Sequence, residues 1–219
     1  MKFVEFFAGS RCLGRVAESK GHKVISTDWK PFNNIDIVED AEKLTPEHFD
    51  FIPDGAWASF DCTTYSIAAC STHRNRDRSP KTDYAVKCDR VNQHVISLFD
   101  YWLSKNPDFV FWIENPRGNL RHMEWMKRLK RYTVWYCQYG DERAKPTDIW
   151  TNCKNWKPRP MCRNYKYDSN GEIIDRHCHH ESARRGAKTG TQGRKGSYER
   201  SKVPLPLIEE VLNAYLESF

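Results

Sequence analysis

At 219 residues, 39% of them hydrophobic, the chain is long enough for one domain with a sizeable core, alone or carrying a small insert, and no window approaches the ~20 apolar residues of a membrane span. Met1 leads straight into Lys2-Phe3-Val4-Glu5-Phe6-Phe7, a strand pattern and not a signal sequence, so a cytoplasmic protein without membrane partners is expected. In that setting its eight cysteines argue for thiols or metal ligation over disulfides, and its +6 charge is concentrated late, with 13 Lys/Arg against 5 Asp/Glu in residues 153–202, a polyanion-binding surface or a solvated loop.

Residues 2–7 read as a buried first strand, followed by the turn Ala8-Gly9-Ser10-Arg11-Cys12-Leu13-Gly14 and a helix to about residue 20. Strand, glycine turn and helix open a nucleotide-binding α/β unit, and Arg11 at the second glycine position of G-x-G-x-x-G points to a ligand without phosphates. Residues 22–27 form a second strand ending at Asp28-Trp29, an acid placed for a ribose diol beside a stacking face for a base. A short third strand spans 34–39, and Asp40-Ala41 opens a loop toward the same cleft; read alone, each carboxylate is as readily a simple cap.

The fourth strand, residues 55–59, delivers Cys62, either a nucleophile tuned by the basic run His73-Arg74-Asn75-Arg76-Asp77-Arg78 or a small hydrophobe at a strand end. A mobile polar loop is expected to about residue 81, then a helix over 83–105 with Val86, Val91, Val95, Phe99, Trp102 and Leu103 inward. Residues 108–113 make an apolar fifth strand that ends at Glu114-Asn115-Pro116-Arg117-Gly118, where burial would raise the carboxyl pKa and make Glu114 a proton-sharing group near Cys62. A basic helix over 123–130, a sixth strand over 133–138 and a hairpin-like last strand over 148–151 follow. Residues 152–199 form a small basic insert in which Cys153, Cys162, Cys178 and one histidine, His180, would suit a Cys3His zinc site, with free thiols the alternative. From Val203 an amphipathic helix closes the domain.

Taken in order, these segments resemble the DNA (cytosine-5)-methyltransferase family, in particular its small phage-type members, over about residues 1–151 and 200–219. Phe7-Ala8-Gly9-Ser10 with Gly14 is similar to the first family motif, and Asp28-Trp29 to the pair on the ribose and adenine of S-adenosylmethionine. Asp40-Ala41 is similar to the adenine-edge contact, Ser59-Phe60-Asp61-Cys62 to the Pro-Cys nucleophile, and Glu114-Asn115-Pro116 to Glu-Asn-Val. The 139–147 segment looks like Arg-x-Arg, and Arg200-Ser201-Lys202-Val203-Pro204 like the final Gly-Asn-Ser-Val motif.

The resemblance implies a Rossmann-like methyltransferase fold, α/β, with a mostly parallel sheet flanked by helices. It implies S-adenosylmethionine held by Phe7, Ala8, Gly9, Ser10, Cys12, Leu13, Gly14, Asp28, Trp29, Asp40, Ala41, Ser201 and Val203, and cytosine methylation in DNA by Cys62, Glu114, Arg143 and Lys145. A phage origin would place the protein in the host cytoplasm. Arg11-Cys12 stand where the family has a glycine pair, Asp61 where it has proline, and Arg200-Ser201 where it has Gly-Asn. A carboxylate beside Cys62 opposes the thiolate, so a catalytically weak or inactive nucleic-acid-binding relative is the alternative function, and RNA the alternative substrate.

Overall fold

The computed structural model describes residues 1–163, 165–170, 172–176, 178, 180 and 196–217. The apolar runs of the N-terminal half become β1 (Lys2–Phe6), β2 (Lys23–Asp28), β3 (Ile37–Val38), β4 (Gly55–Ser59) and β5 (Val110–Pro116), all mutually parallel. They are followed by β6 (Arg131–Trp135) and β7 (Pro146–Thr151), and β7 inserts antiparallel between β5 and β6, giving the order β3-β2-β1-β4-β5-β7-β6. A separate antiparallel pair, β8 (Tyr165–Tyr167) and β9 (Ile173–Arg176), lies in the basic segment.

The two-residue period of the strands sorts their side chains onto two faces. Phe3, Trp57, Val110 and Trp112 pack under α1 (Cys12–Ser19) and the C-terminal helix (Leu205–Leu216), through Leu13, Val16, Leu207, Ile208 and Val211. On the other face Val4, Phe6, Ala56, Ala58, Phe111 and Ile113 pack against Val91, Val95, Phe99 and Trp102 of the long helix Asp83–Lys105. With both faces covered, β1, β4 and β5 read as near-continuous apolar runs, which made them legible as strands.

Several expectations need correction. Val86 and Leu103 are exposed, because a turn of 3.6 residues puts Val86 opposite the stripe through Val91, Val95 and Trp102 and Leu103 at its edge. In place of a basic helix over 123–130 there is a short 3-10 turn, Glu124–Met126; Met123 and Met126 reach the core at the three-residue period of such a turn. The sixth strand runs from Arg131 to Trp135 only, since at Tyr136 the chain enters a 3-10 turn (Tyr136–Tyr139) that closes on Gly140 with φ 84°. The loop after Cys62 is not a loose polar run: Thr64, Tyr65 and Arg74 are buried, and it contains a helical turn, Cys70–His73, and an Arg74–Pro80 bridge. Trp156, inside the expected insert, is buried in the main core and donates from Nε1 to Glu210 (3.2 Å). The most basic stretch of the insert, 181–195, lies outside the described residues, and no described helix is long and apolar enough to cross a membrane.

Candidate active site

The parallel register of β4 and β5 sets Ser59 beside Glu114, and the loops beyond them are tied across: Phe60 N donates to Glu114 O (3.2 Å) and Asn115 Nδ2 to Phe60 O (2.8 Å). Gly118 lets the second loop cross the first, since a Cβ there would lie 2.5 Å from Tyr65 O, the atom that accepts from Asn119 N (2.7 Å). These contacts hold the exposed Cys62 and the buried Glu114 near enough for the carboxyl's charge to reach the thiol. Tyr136 donates its hydroxyl to Glu114 Oε1 (2.7 Å), and Lys145 Nζ stands 4.0 Å from the same oxygen and 4.6 Å from the centre of the Tyr136 ring. Asn115 Oδ1, next in the chain, is a buried acceptor with no partner among the described residues.

Burial raises the Glu114 carboxyl above the ordinary carboxylate range, opposed by Lys145, the Tyr136 hydrogen bond and Arg143. Burial likewise lowers the Lys145 ammonium, with Glu114 opposing. Although Cys62 as a residue is exposed, its sulfur is crowded enough that desolvation comes first in pushing the thiol up to about 11; Asp61 and Glu114 add to this, and Lys145 opposes it. Asp61 is pinned there by accepting from Thr63 N (2.7 Å) and from the Tyr84 hydroxyl. The basic run expected to tune Cys62 does something else. Arg74 is buried against Asp89 (2.7 and 2.8 Å), the carbonyl and hydroxyl of Thr64, and the Tyr65 ring, so its charge is neutralised inside the loop; Lys145 is the cation whose field reaches the thiol.

Arg143, expected beside the reacting groups, stands near them, its charge reaching Glu114 and its guanidinium 5.8 Å from the Tyr136 ring centre, and it also forms a clamp. It is 1% exposed, pairs with Asp141, and donates to the carbonyls of Arg200 (3.0 Å) and Lys202 (3.2 Å), while Lys145 Nζ also reaches Arg200 O (3.1 Å).

The expected cofactor residues gather at the carboxyl ends of β1 and β2. Between β1 and α1 the backbone passes through three left-handed residues, Phe7 (φ 53°), Gly9 (φ 47°) and Arg11 (φ 53°). Gly9 N donates to Asp28 Oδ2 (3.1 Å) and Lys30 N to Asp28 Oδ1 (2.9 Å); burial raises the Asp28 pKa, and these amides oppose it. Arg11 folds back over Gly14, where a Cβ would meet its guanidinium at 3.0 Å, and bonds Ser26 Oγ (3.2 Å) and Glu18. Leu13 and Gly14 present their amides to the buried Glu5 (2.9 Å each), and Cys12 Sγ lies 3.0 Å from Ser10 Oγ. Cys12 also hydrogen-bonds the Val203 backbone, which brings the late motif to the first one; Ser201, by contrast, is exposed and donates to Tyr198 O (2.8 Å).

Ala8 is buried at the end of β1, and the Phe7 ring stands edge-on to Phe60 at 5.7 Å, joining the loops after β1 and β4. Trp29 is 65% exposed, with Lys30 over its ring. A cleft of about 550 Å³ opens here, lined in part by Gly9, Ser10, Phe32, Asn34 and Tyr198. Asp40 is held by Lys87 (2.6 Å) and caps the turn containing the buried Ala41; burial is the largest influence and would raise its pKa, but the Lys87 bond, the Glu42 amide and the charges of Lys87 and Lys43 together outweigh it and the net shift is downward.

The metal set assembles with one substitution. Cys137, Cys162, Cys178 and His180 place their ligand atoms within 4.8 Å of one another, whereas Cys153 lies in the core beside β7, its amide donating to Thr151 Oγ1 (3.0 Å). Cys137 escaped the sequence reading because it precedes the insert by a whole strand. Tyr136 was missed for a related reason: only the turn after β6 aims it at Glu114.

No protein-family model matches the sequence, and no curated protein matches it. Among solved structures, an E. coli protein encoded within a prophage and assigned as a DNA modification methyltransferase aligns with a TM-score of 0.50 at 14% identity, over 98% of this chain and 69% of its own. A mutant of Spodoptera frugiperda DNMT2 gives a TM-score of 0.48 at 14% identity, over 72% of this chain and 53% of its own, so this chain spans about half the length of that relative. The seven-stranded, mostly parallel sheet with flanking helices is the methyltransferase fold of the prophage-encoded protein.

Proposed function

We propose that the chain methylates carbon 5 of cytosine in DNA, with S-adenosylmethionine as donor and Cys62 as a covalent nucleophile. The observation that carries this reading is an exposed cysteine within the electrostatic reach of a buried carboxyl of raised pKa, the two just beyond and at the ends of adjacent parallel strands, with a tyrosine and a lysine on that carboxyl. Carbon 5 of cytosine becomes nucleophilic when sulfur adds to carbon 6. Cys62 Sγ forms that bond as a thiolate stabilised by Lys145, and Glu114 supplies a proton or hydrogen bond to ring nitrogen 3, so that electron density moves to carbon 5. Once carbon 5 carries the methyl group, its proton passes to solvent beside the exposed Cys62, the bond to Cys62 Sγ breaks with its electron pair returning to sulfur, and any proton lent to ring nitrogen 3 returns to Glu114, restoring the ring. The cofactor contributes an electrophilic methyl group.

The end of β2 supports that cofactor: Asp28 offers carboxylate oxygens for ribose hydroxyls and Trp29 an exposed face for a base, while the neighbouring cleft at the helix start is bounded by Gly9, Ser10, Arg11 and Arg15. The base must leave the duplex to reach Glu114, and the exposed Arg76 and Arg78 in the loop after Cys62 suit a phosphate backbone. Asp61 favours the second reading, a nucleic-acid-binding relative with little turnover, because its charge holds the thiol protonated.

DNA carrying 5-fluorocytosine separates the two. With S-adenosylmethionine present, the wild type should form a covalent complex that survives denaturing electrophoresis, since fluorine cannot leave as the proton does, and Cys62→Ser should form none. A wild type that binds both cofactor and DNA yet traps no adduct on any DNA or RNA carrying 5-fluorocytosine overturns the enzyme reading.

A further inference from the structure

We infer that Cys137, Cys162, Cys178 and His180 bind one zinc ion, and that this ion fastens the β8–β9 hairpin to the end of β6. The four ligands come from three places in the chain: the turn after β6, the approach to β8, and the residues after β9. His180 Nδ1 lies 3.0 Å from Cys178 Sγ and 3.7 Å from Cys162 Sγ, and all four ligand atoms fit within 4.8 Å. In tetrahedral zinc, with bonds of about 2.3 Å to sulfur and about 2.0 Å to nitrogen, neighbouring ligand atoms stand roughly 3.5–3.8 Å apart, so closing on an ion needs shifts of about 1 Å. Three thiolates and an imidazole leave no open position, which makes the site structural and not catalytic.

The hairpin needs such a device. Beyond Trp156, the buried residues described before residue 196 are Cys178 and His180, both of them ligands; Lys157, Arg159, Pro160, Met161 and Arg163 are exposed. An isolated two-stranded hairpin is marginal in water, and a metal bound at its ends supplies folding free energy. Cys137 ties it to the domain next to Tyr136, the residue bonded to Glu114, so the ion would hold a basic segment at a fixed distance from the carboxyl. The inference stands whether or not the chain is a methyltransferase.

Metal analysis of the full chain purified without chelator tests it. Wild type and Cys153→Ser should carry about one zinc per chain, whereas Cys137→Ser and Cys162→Ser should lose it; Cys162 is only half-buried, so its variant reads the site even where Cys137→Ser fails to fold. Cobalt exchanged into the wild type should give the intense visible bands of a tetrahedral thiolate site. Chelation should open Arg159 and Arg163 to trypsin while leaving unfolding of the main domain cooperative. Protein that contains no zinc and takes up neither zinc nor cobalt overturns the site, as does full metal content in both Cys137→Ser and Cys162→Ser.

Discussion

Cys62 is held between two anions and a cation, and the balance sets its chemistry. With the thiol pushed up to about 11, roughly one sulfur in 10⁴ is ionised at pH 7. Asp61 contributes through a fixed position, accepting from Thr63 N and the Tyr84 hydroxyl, so Asp61→Asn removes the charge while keeping an acceptor for the turn. Desolvation is the first cause and survives the substitution, so the thiol pKa should fall only part of the way to its ordinary value. Iodoacetamide modification of Cys62 should then be roughly tenfold faster at pH 8 in Asp61→Asn than in wild type, and slower in Lys145→Met, which removes the opposing cation. If the alkylation profile of Asp61→Asn matches wild type across pH 6–10, Asp61 is not what restrains the thiol. Cys62 and Glu114 were legible in the sequence because each interrupts an apolar run where a buried strand ends. Lys145 was placed near them by resemblance alone, and Tyr136 not at all, because neither position follows from a local period.

At the scale of elements, α1 has an unusual start. Its first turn holds no acidic residue and its N-cap, Arg11, is left-handed and makes no side-chain cap, so the orphan amides of Leu13 and Gly14 turn to Glu5 on the neighbouring strand. The run Lys2 to Phe7 announced a strand, but nothing in it told that its one acid faces a helix end. Burial raises Glu5 to about 7 against those two amides. The folded chain therefore keeps a proton that the unfolded chain releases above its ordinary value of 4.5, and the stability tied to this group falls as pH rises from 4.5 to about 7 and is level beyond. The full drop amounts to about 3 kcal/mol. Glu5→Gln cannot ionise, so urea unfolding at pH 5 and pH 8 should show wild type losing about 2.5 kcal/mol more than the variant over that interval. Parallel losses in the two proteins would mean that Glu5 does not titrate there.

For the whole molecule, β1, β4 and β5 were readable as apolar runs closed by polar residues, whereas the third strand, expected over 34–39, is only Ile37–Val38, and the order of the strands in the sheet came from the fold alone. The antiparallel insertion of β7 and the place of Cys137 in the Cys/His cluster depend on contacts between distant segments, whereas the residue types within residues 152–199 pointed to Cys153 instead. Arg143 shows the same lesson. Resemblance put it with the reacting groups, but its guanidinium joins the β6–β7 turn, through Asp141, to residues 200 and 202 at the approach to the C-terminal helix. Those residues lead into Val203, which reaches Cys12 at the start of α1, so one buried side chain holds the two ends of the domain in register. Arg143→Gln leaves Asp141 without that cation and the Lys202 carbonyl without that donor, while Lys145 still reaches the Arg200 carbonyl, and should cost about 3 kcal/mol of unfolding free energy. Lys145→Met, which alters the field at Cys62, should cost less, because Arg143 still holds the Arg200 carbonyl. A clamp and a reacting group give different signatures: the clamp loses stability first and weakens cofactor binding with it, whereas a reacting group would leave the melting temperature unchanged and remove adduct formation alone. An Arg143→Gln protein that melts with wild type yet traps no 5-fluorocytosine DNA would return Arg143 to the reacting groups.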